Sequence, residues 1–318
     1  MRWFVLLAVL LAVSVTAPRA AGEETASIDH VVAVTDRWLQ VFVDSPAMGR
    51  IVQVDVLLPQ QNRRARPTVY MLEGIDSARP DQNDWTAQGG AVDFFADKDV
   101  NVVLPVGGAG SYYTDWQRDD PVRGRQRWET LLTRELPPLL DARFRGDGRN
   151  AVVGVSMGAQ AAVMLAERSG GLFRAVAALS GCYETSDAVG QAELRYIIST
   201  DGSDPDDMWG AIADPDWAAH DVPAHAAELA GKSLYFYAAT GFPGIHENLG
   251  TPDLPDVIIE GGAIESGARL CTGVLQQRLQ DLGIAATYDF APAGTHSWPY
   301  WRDQLAAGWP VLADALGR

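Results

Sequence analysis

Apolar and polar positions alternate along two early stretches, residues 40–44 (QVFVD) and 51–58 (IVQVDVLL), with the two-residue period of half-buried strands. Residues 45–50 (SPAMGR) between them carry a Pro and a Gly and read as a turn. Two unbroken apolar runs follow, residues 68–72 (TVYML) and 100–106 (VNVVLPV), each ending at glycine as a buried strand ends at a loop. The stretch between them, including residues 92–97, reads as helical. Residues 128–143 follow the 3.6-residue period of an amphipathic helix, which Pro137 and Pro138 are expected to bend or split. Strands are then predicted at 150–155, 175–179, 233–238 and 285–290, and helices at 157–168 and 269–282. Strands alternating with helices specify an α/β fold with a mostly parallel sheet flanked by helices on both faces. The leading hairpin is expected to be its antiparallel N-terminal edge.

Composition adds a compartment and removes some partners. Arg2, the apolar residues 4–15 and the small residues Ala20, Ala21 and Gly22 form the layout of a secretory signal peptide, predicted to span residues 1–22. The apolar run is too short for a comfortable transmembrane helix. Residues 23–318 show no linker, charge block or repeat, and read as a single domain. The chain carries 25 Lys and Arg against 41 Asp and Glu, a formal charge of −16. Loss of Arg2 and Arg19 with the signal peptide makes the charge more negative still. Such a surface repels phosphate backbones and anionic headgroups, which excludes nucleic acid as a partner and leaves neutral glycans or glycolipids. The two cysteines, Cys182 and Cys271, read as one disulfide in an exported protein, and their spacing fits no metal site.

The chemistry centres on Gly154-Val155-Ser156-Met157-Gly158. This G-x-S-x-G motif sits between a predicted strand and a predicted helix, where a sharp turn exposes a serine hydroxyl above a sheet. The setting is that of the α/β-hydrolase fold, with Ser156 as nucleophile. A serine hydroxyl needs a base, and the chain has five histidines. His296 follows the last strand on the loop APAGT, as the order Ser, acid, His requires. His30 precedes the predicted fold, and His220 and His225 lie in an acidic, loop-rich stretch where solvated histidines are expected. His246 is the remaining rival. The acid falls between Ser156 and His296, after the penultimate strand, and spacing leaves Glu247, Asp253, Asp256, Glu260 and Glu265 open.

Longer strings narrow the reading. GTHSWPYW at residues 294–301 and WETLLTRELP at 128–137 resemble the secreted mycolyltransferases of the antigen 85 group, as do SPAMGR, PVGG with YTDW, GVSM, and MWG with DPDW. These matches run in order from about residue 40 to 305. The resemblance implies Glu265 as the acid, with Glu260 second. It implies backbone amides of Ile75 and Met157 as oxyanion donors, and Trp298 as a lining residue of the acyl and sugar site. No metal and no organic cofactor are implied. The implied reaction transfers a mycolyl group from trehalose monomycolate, through an acyl-Ser156 intermediate, to trehalose or a cell-wall arabinan outside the cell. One loop departs from the family: the usual Leu-Asp-Gly-Leu-Arg is Leu72-Glu73-Gly74-Ile75-Asp76 here. Glu73 and Asp76 are the expected sugar-binding residues, with Arg79 as a substitute for the missing arginine. The departure keeps a plain secreted carboxylesterase in view. A non-catalytic cell-wall or matrix binding protein is a third reading, one that would not need Ser156.

Overall fold

A computed structural model describes residues 25–61, 64–76 and 81–318. The predicted signal peptide and Arg79 lie outside the described residues. Among the described residues nine strands form one sheet: β1 (Ser27–Ala33), β2 (Trp38–Ser45), β3 (Arg50–Leu57), β4 (Arg66–Leu72), β5 (Asn101–Pro105), β6 (Gly146–Val155), β7 (Phe173–Leu179), β8 (Ser233–Ala239) and β9 (Thr287–Ala291). Their order is β1-β2-β3-β5-β4-β6-β7-β8-β9. Pairings from β1 through β3 to β5 are antiparallel, and β5-β4-β6-β7-β8-β9 are parallel. The expected α/β-hydrolase architecture is present.

Each boundary has a local cause. β4 is buried at all seven positions, as a strand covered on both faces must be. Short helices α1 (Asp84–Ala87) and α2 (Ala91–Phe94) lead into β5. The expected break near the prolines is a π-turn at Leu131–Glu135, between α3 (Trp128–Thr130) and α4 (Leu136–Phe144). Pro137 and Pro138 have no amide to continue the preceding ladder, so the turn widens before them. α5 (Met157–Arg168) follows the serine directly.

Four expectations are corrected. His30 does not precede the fold: it lies in β1, its ring stacked on Phe42 at 4.1 Å between centroids. The stretch read as loop-rich is helical, with α6 (Ala188–Ser199), α7 (Pro205–Trp209), α8 (Pro215–Ala219) and α9 (Val222–His225). Four of its aspartates, Asp187, Asp204, Asp214 and Asp221, are N-caps, each accepting a first-turn amide. Pro205 and Pro215 occupy the first helical position, the signal that could have revealed α7 and α8. α10 runs over Leu254–Asp281, fifteen residues earlier in its start than expected from residue 269. Gly261, Gly262 and Gly267 argued against a helix by propensity. A Cβ on Gly262 would lie 2.7 Å from the Gly241 carbonyl oxygen, so a bare backbone is what lets α10 approach the loop after β8. A final helix, α11 (Trp298–Leu316), was not anticipated.

One buried carboxyl on α5 makes stability depend on pH. Glu167, in the last turn of α5, is pushed up to about 9 by burial and by the nearby carboxylates of Asp221 and Glu228. The folded state therefore holds a proton that the unfolded chain releases above the ordinary glutamate range, and stability falls as pH rises between that range and about 9. Glu167→Gln is expected to raise Tm more at pH 8 than at pH 5, measured by differential scanning calorimetry. An equal gain at both pH values would show that Glu167 is ionised in the fold.

Candidate active site

The parallel strands place five loops at one edge of the sheet. Leu72 pairs with Gly154, Val155 with Leu179, Leu179 with Tyr237, and Ala239 with Ala291. Glu73, Ser156, Ser180, Thr240 and the loop to His296 all leave from this edge.

Ser156 stands at φ 54°, ψ −121°, a conformation L side chains adopt rarely, between β6 and α5. Its amide donates to the Leu179 carbonyl at 2.9 Å. The glycines on either side are required by contact: a Cβ on Gly154 would strike the Gly158 carbonyl, and one on Gly158 would lie 2.5 Å from the Glu73 carbonyl oxygen. The loop after β4 lies against the serine, since a Cβ on Gly74 would be 3.6 Å from Ser156 Cβ. Ile75 follows Gly74 in that loop, and Met157 opens α5 with the helix N-terminus behind it.

His296 follows β9 and precedes α11. Its amide donates to the Gly261 carbonyl at 3.1 Å, which ties it to α10. Its Nδ1 is 2.8 Å from Glu265 Oε2. Glu265 is wholly buried, and the His296 side chain is 9% exposed. The second carboxylate oxygen, Oε1, accepts from the Ala239 amide at 2.7 Å and from Ser180 Oγ at 3.0 Å. Nε2 of His296 is buried and has no hydrogen-bond partner among the described residues. A histidine clamped at one nitrogen by a carboxylate keeps the other nitrogen for proton transfer.

The remaining sequence candidates separate. Glu247 binds Thr295 Oγ1 at 2.8 Å, Tyr300 OH at 2.6 Å and the Gly244 amide at 2.6 Å, so it staples the loop after β8 to the histidine loop. These bonds hold its carboxyl below the ordinary glutamate range against the opposing effect of burial. His246 pairs with Asp303 at 2.7 Å. His220 is not solvated as expected: it is buried, stacked on Trp209, and pushed down to about 4 chiefly by that burial. Glu73, expected as a sugar ligand, is fully buried, and its Oε2 accepts the Asp84 amide at 2.8 Å. Asp76 is exposed. Trp298 is half-buried and meets Trp85 and Trp301 edge-to-face at 5.2 and 5.1 Å. Cys182 and Cys271 are joined in a disulfide between the loop after β7 and α10, with Cα atoms 4.9 Å apart. One cluster of metal-ligand type, Cys182, Glu184 and Cys271, occurs among the described residues, and its two sulfurs are consumed by that bond.

Sequence reasoning missed two participants. Ser180 and Trp301 join the Glu265 and His296 pair, Trp301 Nε1 donating to Ser180 Oγ at 3.0 Å. No short motif marks Ser180, although Trp301 lay inside the string around His296.

A strand–serine–helix turn on a mostly parallel sheet, with a carboxylate-held histidine on a loop at the same sheet edge, defines the α/β-hydrolase class of acyl-transferring and ester-cleaving enzymes. A family profile described as putative esterase matches residues 45–312. The diacylglycerol acyltransferase/mycolyltransferase Ag85B of Mycobacterium avium is 32% identical over 313 residues, covering 94% of this chain and 88% of that protein. Ag85A of Mycobacterium tuberculosis, named for the same activities, is 33% identical over 310 residues, covering 93% and 86%. The crystal structure of Mycobacterium tuberculosis MPT51 (FbpC1) superposes with a TM-score of 0.74 at 27% identity, covering 89% of this chain and all of that one. An S-formylglutathione hydrolase from Agrobacterium tumefaciens shares the fold, with a TM-score of 0.66 at 16% identity, covering 91% and 99%. The chain belongs to the putative esterase family and, within it, to the antigen 85 mycolyltransferase group. Its function is accordingly of the acyltransferase or esterase type. Among the described residues, no helix is long and apolar enough to cross a membrane.

Proposed function

We propose that this protein is an exported serine acyltransferase that moves a mycolyl group from trehalose monomycolate to a sugar hydroxyl. The observation that carries the reading is His296, held through Nδ1 by Glu265 and with its buried Nε2 without a hydrogen-bond partner among the described residues, at the same sheet edge as the strained Ser156. His296 takes the Ser156 proton as Oγ bonds to the ester carbonyl carbon. The oxyanion is met by the amides of Ile75 and Met157. As the carbon–oxygen bond to trehalose breaks, His296 returns the proton to the leaving oxygen. A second sugar hydroxyl, of trehalose monomycolate or an arabinan, then gives its proton to His296 and bonds to the acyl carbon, and His296 returns that proton to Ser156 Oγ as the acyl-serine bond breaks.

An acyl chain also finds support in the surroundings. Phe242, Ile245 and Leu249 are exposed on the loop after β8, with Ile259 exposed at the start of α10. That loop is tied to the histidine segment, the Gly294 amide donating to the Phe242 carbonyl at 2.7 Å. The disulfide agrees with an oxidising, extracellular setting. Asp76, where the family carries an arginine, favours a second reading, an esterase with a weakened sugar site. Trp298 serves as packing for the histidine loop and, on its exposed part, as a wall for substrate.

Intact-mass spectrometry of the protein incubated with trehalose monomycolate and excess trehalose separates these readings. The expected result is a mycolyl adduct on Ser156 together with trehalose dimycolate. An adduct with free mycolic acid as the sole product would make the protein an esterase.

A further inference from the structure

Ser180 follows the last residue of β7 in a left-handed conformation, φ 58°. Its amide donates to the Tyr237 carbonyl at 2.8 Å, so the backbone is fixed by the sheet it has just left. A serine at such a φ is strained and persists only where its surroundings enforce it. Its hydroxyl oxygen accepts from Trp301 Nε1 at 3.0 Å and lies 3.0 Å from Glu265 Oε1. An indole nitrogen only donates. The Ser180 oxygen must therefore accept there, and its single proton is directed to the carboxylate.

The result is a closed ring. Trp301 bonds Ser180, Ser180 bonds Glu265, Glu265 bonds His296, and the His296 and Trp301 rings meet perpendicular to one another with centroids 4.9 Å apart. Four separate segments contribute: the end of β7, α10, the loop after β9, and α11. Both carboxylate oxygens are engaged, Oε1 by Ser180 and the Ala239 amide, Oε2 by His296.

We propose that Ser180 is a positioning residue that acts through Glu265, and that Trp301 orients the Ser180 hydroxyl for that task. The proposal rests on the assignment of Glu265 and His296 made above. A carboxylate with both oxygens held cannot rotate, and the imidazole it holds keeps Nε2 directed at the proton it must take. Without the Ser180 hydroxyl, Oε1 keeps the Ala239 amide alone, the carboxylate gains freedom, and the Trp301 N–H loses its acceptor.

The test uses the full-length secreted protein and a soluble activated acyl ester, with Ser156→Ala as the zero. Ser180→Ala and Ser180→Gly both remove the hydroxyl but differ in stability, because glycine accepts a positive φ without strain. Both variants are expected to lose kcat by about 10- to 100-fold with KM nearly unchanged, the scale of a misplaced catalytic group, while Ser180→Gly melts above Ser180→Ala. Ser180→Thr restores the hydroxyl on a backbone β-branching disfavours. It is expected to melt below wild type yet keep kcat within a few-fold. Trp301→Phe should lower kcat in the wild-type background and add little to Ser180→Ala. Activity that follows Tm rather than the hydroxyl would overturn the proposal, as would additive losses in the double variant. Wild-type kcat in Ser180→Ala would overturn it while leaving the Ser156 reading intact. A wild-type protein no more active than Ser156→Ala would overturn both.

Discussion

Replacing Ser156 by alanine is expected to lower turnover of an activated acyl ester by about 10⁴- to 10⁶-fold, the loss typical of removing a serine nucleophile. Substrate binding does not depend on the hydroxyl, so KM should change little. The same position makes a stability prediction with the opposite sign. Ser156 sits at φ 54°, ψ −121°, pinned by its amide to Leu179 and by the bare Gly154 and Gly158 beside it. Alanine keeps that strain and glycine releases it. Ser156→Gly is therefore expected to be as inactive as Ser156→Ala but more stable by about 1 kcal/mol, read as a higher urea midpoint at the same m-value. If the glycine variant were the less stable of the two, the turn would not be strained. If either kept substantial activity with an acyl adduct elsewhere, Ser156 would not be the nucleophile.

The second large effect belongs to the disulfide. Cys182 and Cys271 are 89 residues apart in the chain. A loop of that length restricts the unfolded state by about 4.6 kcal/mol in the chain-entropy account, a Tm shift of roughly 7 °C for a domain of this size. The Cys182→Ser, Cys271→Ser double variant should melt lower by about that amount, measured by calorimetry under non-reducing conditions. It should also turn over more slowly at 25 °C. Cys182 lies two residues beyond Ser180, and Cys271 lies on α10, which carries Glu265. Without the bond, the loop keeps Ser180 on Glu265 and a longer contact from Thr272 Oγ1 to the Gly181 carbonyl at 3.4 Å. An unchanged Tm would mean that the closed loop is already compact when unfolded.

Legibility in the sequence followed the range of the interaction responsible. The strands at the centre of the sheet were readable because burial on both faces demands uninterrupted apolar runs. The turn at Ser156 was readable because its requirements are all local: a strand, two glycines, and a helix whose residues 157–168 match the observed α5 at both ends. Even the two proline positions that divide residues 128–144 announced a break. Where reading failed, local signals pointed the wrong way. The glycines of α10 spoke against a helix until their close approach to Gly241 and His296 was visible. Four of the aspartates of residues 187–221 looked like solvated loop until they appeared as caps. Glu73 and His220 looked exposed by residue type, yet both are buried.

By itself, then, the sequence determined the α/β class, the parallel core of the sheet, the serine turn and the histidine-bearing loop, each encoded in spacing over a few residues. Spacing left five carboxylates open and the resemblance pointed to Glu265; tertiary structure alone decided that Ser180 and Trp301 complete its surroundings, and that Glu73 is buried. The physical reason is distance along the chain. Glu265 lies 31 residues from His296 and 85 from Ser180, and Trp301 lies 121 from Ser180. Periodicity carries no information over such separations, and only the packing of α10 and α11 onto the sheet edge brings these groups within hydrogen-bonding reach.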